Sequence, residues 1–339
     1  MAAGETVLLT GASGTLGGLI GRAALAAGVR LRVLVHRRRP SWLAEGSPVE
    51  ERRGDLLVPS TLHGVADGCH AVVHAAAERN FAAPDPGRQR RLNVGGTRAM
   101  LREAQAAGVE RFALIGYTGT IQETGGGDAV EESTPPAMQY ESAYVRQTLE
   151  AEAAVLDGNG TRGFRSMVVS PGLLAGAGCD SMLTNLSRLY LRRELPFRFL
   201  EDVWLAVTGA ADVAACVLAA LERGLGGHRY FAIGDSVRLG EFYRHLEARS
   251  GVPPPRRRIP DLLVEELGGV APLLPSKSFL KRLVLPRELV LHLRRLAPAR
   301  SGRTRRELGF APDPLATIVE ELVREGASLA REHGPGSTR

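Results

Sequence analysis

The stretch Thr10-Gly11-Ala12-Ser13-Gly14-Thr15-Leu16-Gly17 restricts this chain more than any other. It follows the apolar run 7–9 directly and leads into the helical run 18–27. Glycines at this spacing permit a tight strand-to-helix turn and close approach of a ligand to the backbone. A helix N-terminus offers free amide donors and a partial positive charge, so a pyrophosphate can rest there. With a second apolar strand at 31–35, the unit reads as the first βαβ of a dinucleotide-binding fold. Gly11, Ser13, Gly14, Thr15, Leu16 and Gly17 are its expected cofactor contacts.

The same rhythm continues along the chain. Strands are expected at 71–74, 112–115, 166–170 and 230–233, and helices at 94–107, 142–156 and 211–222. Alternation of this kind predicts an α/β chain with a Rossmann-like, doubly wound parallel sheet. The Pro-rich segments 253–260 and 286–298 break the rhythm and predict a smaller, mostly helical substrate domain. The expected division is residues 1–172, with 204–235 returning to the first domain, against 173–203 and 236–339.

The end of the second strand separates the two nicotinamide cofactors. A carboxylate there accepts a bond from a free ribose hydroxyl and repels a 2'-phosphate. Here the residues are His36, Arg37, Arg38 and Arg39. A guanidinium clamps phosphate with paired charge-assisted bonds, so NADP(H) is the expected cofactor, with His36, Arg37 and Arg38 beside it.

With 44% hydrophobic residues in 339, the chain can bury a large core. Cys69, Cys179 and Cys216 are odd in number and far apart, which signals neither a disulfide framework nor a metal site and predicts a cytoplasmic setting. No apolar run reaches the roughly 18 residues of a membrane span. The net charge of +6 is spread over separate clusters at 37–39, 88–91, 256–258 and 277–282, which predicts solvated faces and an anionic ligand, not nucleic acid. The expected partner is a small-molecule substrate, with no membrane and a monomeric or homodimeric chain.

Several further motifs give the chain a family likeness. Gly54-Asp55-Leu56, Val72-Val73-His74-Ala75-Ala76-Ala77, Leu92-Asn93-Val94-Gly95-Gly96-Thr97, Ser170-Pro171-Gly172 and Arg305-Arg306-Glu307-Leu308-Gly309-Phe310-Ala311-Pro312 resemble those of the extended short-chain dehydrogenase/reductases, the NAD-dependent epimerase/dehydratase-like group. The resemblance implies that Asp55 and Leu56 lie on the adenine side, Ala75, Ala76 and Ala77 beside the cofactor, and Pro171 and Gly172 near the nicotinamide. It also implies that Tyr144 touches cofactor and substrate, that Thr118 or Thr120 binds the reacting carbonyl, and that His74 is a strand-end residue. Tyr144 and Thr118 are thus the expected catalytic pair.

The catalytic motif departs from the family pattern. Members carry Tyr-x-x-x-Lys, whose lysine lowers the tyrosine pKa; here Thr148 stands in the lysine position. A neutral threonine cannot help ionise a phenol, and each missing pKa unit corresponds to about 1.4 kcal/mol. Tyr140 and Arg146 are neighbours that could substitute, although arginine is a poor proton donor. The chain has only two lysines, Lys277 and Lys281, and is rich in Ala, Gly and Arg, a composition similar to high-GC actinobacterial proteins. The resemblance extends to angucyclinone-type polyketide ketoreductases. It implies NADPH-dependent reduction of a bulky aromatic ketone, with the proton coming from water, an unassisted hydroxyl or the substrate. The mixed apolar and basic segment 253–298, with Leu262, Leu263, Leu273, Leu274, Phe279 and Leu280, reads as a lid or as a surface helix pair. A silent NADP(H)-sensing protein and a nucleotide-sugar epimerase remain open, the latter disfavoured by the missing lysine.

Overall fold

The computed structural model describes residues 4–44, 46–123, 127–137, 139–270 and 285–332. Strands β1 (Thr6–Thr10), β2 (Arg30–Val35), β3 (Val49–Arg53), β4 (Ala71–His74), β5 (Arg111–Ile115), β6 (Arg165–Pro171) and β9 (Arg229–Ala232) form a seven-stranded sheet. Its order is β3-β2-β1-β4-β5-β6-β9, and every neighbouring pair is parallel. The central strands are continuous apolar runs because both faces are buried. Val7, Leu9, Val73, Ala113 and Val169 enter one core, under α1 (Thr15–Ala26) and α7 (Ala210–Arg223). Their neighbours Leu8, Val72, Leu114 and Val168 enter the other, under α3 (Thr97–Ala106) and α5 (Ala143–Asp157). Period-two alternation between two apolar layers is what a doubly wound parallel sheet requires.

A second sheet joins β7 (Leu173–Ala175), β8 (Trp204–Gly209) and β10 (Asp235–Arg238) in the order β10-β8-β7. The return to the large sheet is therefore made by α7 and β9 alone; 204–209 pairs with β7 and β10 instead. Around this sheet pack α6 (Met182–Leu191), α8 (Leu239–Ser250), α9 (Asp261–Val270), α10 (Arg287–Arg294) and α12 (Leu315–Glu332), sharing one apolar core. Between α10 and α12, α11 (Gly302–Leu308) ends at Gly309, whose φ of 63° reverses the chain so that Leu308 and Phe310 reach the large-sheet core. Short helices α2 (Pro86–Arg90) and α4 (Gly119–Gln122) follow β4 and β5. Leu273, Leu274, Phe279 and Leu280, read from the sequence as part of a lid or of a surface helix pair, and the basic cluster 277–282 lie outside the described residues. Among those described, no helix is long and apolar enough to cross a membrane.

Candidate active site

A groove of about 670 Å³ opens at the carboxyl ends of β1, β2 and β4, where the strand order reverses beside β1. That switch point is where ligands of open α/β sheets bind. The β1–α1 turn forms its floor. Gly11 sits at φ 71°, and a Cβ there would lie 2.6 Å from the Ala75 carbonyl. Gly14 caps α1 without a side-chain partner, and a Cβ on it would meet only the Gly11 carbonyl, at 3.4 Å. The first turn of α1 thus presents bare amides toward the groove.

The residues expected around a cofactor converge on this groove. Gly11, Ser13 and Gly14 line it with His36, Arg37, Arg38, Asp55, Leu56 and Ala75 to Ala77. A deeper cavity of about 150 Å³ shares Gly11, Gly14 and Ala75 to Ala77 as a wall and adds Thr15, Leu16, Gly17, Tyr144 and Pro171. Gly172 stands apart from both linings: a Cβ there would lie 2.2 Å from the Ala206 carbonyl, so close packing against β8 accounts for it. Leu34, Leu92, Arg79, Asn93, Thr97, Gly116 and Thr148 also line the groove, and sequence reasoning did not single them out as cofactor contacts.

The arginine run divides by role. Arg39 binds Glu51 at 2.7 Å and the carbonyls of Leu43 and Ala44, so it pins its own loop. Arg37 and Arg38 are exposed on the groove wall and have no carboxylate partner among the described residues. His36 contacts Asp55 at 3.2 Å, and the other Asp55 oxygen accepts the Leu57 amide.

At the far end the expected catalytic residues separate. Tyr144 is buried and lines the deep cavity. Burial raises its pKa; Arg79 and the Thr148 hydroxyl oppose this only in part. Thr148 donates to the Tyr144 backbone carbonyl at 2.9 Å, an i−4 bond that gives the phenol no cation. The Thr118 hydroxyl, fully buried, donates to the Pro171 carbonyl at 3.2 Å, so this threonine ties the β5 loop to β6 and does not line the cavity. Thr120 bonds to the Tyr117 carbonyl and to Glu152. The Tyr140 hydroxyl donates to the Thr120 carbonyl, and burial pushes its pKa up to about 12. Arg146 donates to the carbonyls of Tyr140 and Glu141. Both are occupied in holding the turn before α5.

His74 is buried between the hydroxyls of Thr10, 2.8 Å from Nδ1, and Thr97, 3.1 Å from Nε2. Burial lowers its pKa from 6.5 to about 4. The folded chain therefore binds fewer protons than the unfolded one between these values. Stability from the neutral ring is complete above pH 6.5 and is lost as pH falls toward 4, up to about 3 kcal/mol. Urea unfolding at pH 7 and pH 5 should show that His74→Gln removes about 2 kcal/mol of the wild-type difference. An unchanged difference would assign the pH dependence to other groups.

A family model described as the NAD dependent epimerase/dehydratase family matches residues 7–234. The chain belongs to that family. It is 28% identical over 338 residues to the sterol demethylase protein B of Methylococcus capsulatus, across 97% of this chain and 99% of that protein. It is 29% identical over 255 residues to the 4-hydroxy-2-methyl-3-oxo-4-farnesyl-3,4-dihydroquinoline-1-oxide ketoreductase of Stigmatella aurantiaca, across 74% and 75% of the two chains. The crystal structure of gox2253 matches with a TM-score of 0.79 and 27% identity, covering 97% of this chain and 99% of that one. As a family member the protein is an NAD(P)-dependent oxidoreductase of the extended short-chain type, with the Tyr-x-x-x-Lys lysine replaced by Thr148.

Proposed function

We propose that this protein is an NADPH-dependent ketoreductase for a bulky, apolar ketone, of the aromatic polyketide kind, in secondary metabolism. The observation that carries the cofactor choice is the pair Arg37 and Arg38, facing the groove with no carboxylate partner among the described residues while Arg39 is committed to its loop. When bound, the reduced nicotinamide supplies a hydride to the substrate carbonyl. The α1 N-terminus and Gly14 hold the pyrophosphate, Arg37 and Arg38 the 2'-phosphate, and Asp55 the adenine side.

The substrate reading draws on a cavity of about 190 Å³ in the smaller domain, lined by residues including Leu183, Leu186, Leu189, Phe199, Leu205 and Leu293. Its lining is almost wholly apolar, as a pocket for an apolar body requires. Two relatives carry names that refer to a sterol and a farnesylated quinoline, both bulky apolar ring compounds.

The pair Arg37→Ala/Arg38→Ala should weaken NADPH binding about 30-fold, some 2 kcal/mol of charge-assisted bonding, and leave NADH nearly unchanged. Parallel fluorescence titrations check this, and equal effects on both dinucleotides would sink the NADP(H) assignment. Loss of nicotinamide absorbance with a panel of polycyclic ketones tests the reaction. Tight NADPH binding without consumption would favour a sensing role, and binding of a nucleoside diphosphate sugar would favour epimerisation.

A further inference from the structure

Three residues that the expected catalytic set does not use meet behind Tyr144, which lines the deep cavity. Tyr117 follows β5, and its hydroxyl lies 3.2 Å from Nε2 of His292 on α10. The other ring nitrogen, Nδ1, lies 2.7 Å from Oε2 of Glu123. His292 and Glu123 are wholly buried and Tyr117 partly so. The tyrosine and histidine are 175 residues apart in sequence, and backbone pairing brings them together. Ala297 donates to the Gln122 carbonyl at 2.8 Å, the Gln122 side chain returns a bond to the Ala297 carbonyl, and Glu123 bridges Leu296.

Local sequence choices protect this contact. A Cβ on Gly119 would lie 2.2 Å from the Tyr117 ring and 2.7 Å from His292 Nε2, so only glycine leaves room for the pair. Phe81 packs on both His292 and Tyr144, at ring-centroid distances of 5.4 and 5.0 Å. The Tyr117 ring is 6.3 Å from that of Tyr144, which lines the deep cavity. The phenol, imidazole and carboxylate are therefore linked in series, with the phenol ring beside that of Tyr144.

We infer that Tyr117, His292 and Glu123 form a proton relay that supplies the proton of ketone reduction in place of the missing tyrosine–lysine pair. The inference rests on the reductase reading above. As hydride adds to the carbonyl carbon, the C=O π pair moves to oxygen, and that oxygen takes the Tyr117 hydroxyl proton. The phenolate takes the Nε2 proton of a doubly protonated His292, which Glu123 holds through Nδ1–H. Neutral His292 then recovers a proton from water, so one solvent proton is consumed per ketone reduced. Alcohol oxidation runs the same path backward, with neutral His292 as the acceptor. Burial, then the neighbouring Tyr144, keeps the Tyr117 proton in place near neutral pH, so the phenol acts as an acid that must be recharged.

Among the described residues, the charged and titratable groups acting on this chain include Arg295, Arg79, Tyr144 and Tyr140. Arg295 approaches Glu123 Oε1 at 3.4 Å and reaches Glu141 at 3.8 Å. Arg79 acts electrostatically on both phenols. On α10 itself, Arg287 and Arg294 are held by Glu265. Because each reduction consumes one solvent proton, reduction should slow, and oxidation quicken, as pH rises.

Protein labelled with ¹⁵N-histidine and saturated with NADPH provides a test that does not depend on turnover, with the His292 ring assigned by its loss in His292→Gln. The expected result is a ring that titrates at Nε2 while Nδ1 stays protonated, with a midpoint that moves in Tyr117→Phe. A ring held neutral throughout, or a midpoint indifferent to Tyr117→Phe, overturns the relay. In kinetics, Tyr117→Phe and His292→Gln should each lower kcat for ketone reduction about 100-fold or more and leave NADPH affinity unchanged. Glutamine can still donate and accept hydrogen bonds but has no transferable proton, and an unchanged melting temperature excludes misfolding. Full activity in Tyr117→Phe with loss in Tyr144→Phe would return the proton to Tyr144. If wild type reduces no ketone, the reductase reading falls, and the histidine spectra still decide whether the relay exists.

Discussion

Gly17→Ala should lower dinucleotide affinity by at least about 100-fold, a loss of some 2.7 kcal/mol. A Cβ on Gly17 would lie 2.1 Å from the Gly11 carbonyl oxygen and 2.7 Å from its carbon, both backbone atoms of the turn. Neither can rotate aside, so α1 must move off β1 and take its N-terminal amides with it. The overlap should also destabilise the fold by about 1–3 kcal/mol, as overpacking does. Gly14→Ala is the informative partner: its Cβ meets only one atom, at 3.4 Å, so the fold should keep its melting temperature. If Gly14 faces the pyrophosphate, that variant loses affinity alone. Thermal melts beside NADPH and NADH titrations separate the two cases. Gly17→Ala binding either cofactor within a few-fold of wild type would mean that the α1 N-terminus does not hold the ligand.

The parts of this fold legible in the sequence are those where one physical constraint acts along a continuous segment. The runs at 7–9, 71–73 and 167–169 are apolar at every position because two helical layers cover them, and β1, β4 and β6 appear there. β3 was not legible: Val49-Glu50-Glu51-Arg52-Arg53 is an edge strand with four exposed side chains, so no apolar pattern marks it. β7 and β10, three and four residues long, belong to a sheet that sequence reasoning did not foresee. The β1–α1 turn was legible because glycine spacing reports backbone geometry directly. Thr118 illustrates the limit, since its position matches a carbonyl-binding hydroxyl while its proton goes to Pro171. Tyr117, Glu123 and His292 give no local signal, because their meeting depends on the pairing of 122–123 with 296–297.

Glu152→Ala should cost about 3–5 kcal/mol of stability, the usual effect of stripping one partner from a buried ion pair. Glu152 is fully buried and binds Arg229 at 2.9 and 3.3 Å. It also accepts from the Thr120 hydroxyl at 3.1 Å and the Tyr117 amide at 3.1 Å. Burial raises its carboxyl pKa, and Arg229 and these donors draw it back. The same carboxylate explains the glycine at 116: a Cβ there would lie 2.4 Å from Glu152 Oε1. Glu152 thus sets the conformation of the loop that carries Tyr117, and its loss should disturb the site as well as the core. Glu152→Met/Arg229→Met, which removes both charges, should recover much of the stability while leaving Tyr117 without its amide acceptor. Urea unfolding of the single and double variants measures the coupling. A double variant as unstable as the sum of its singles would show that the two charges act independently, and the account of this loop as held by one ion pair would fail.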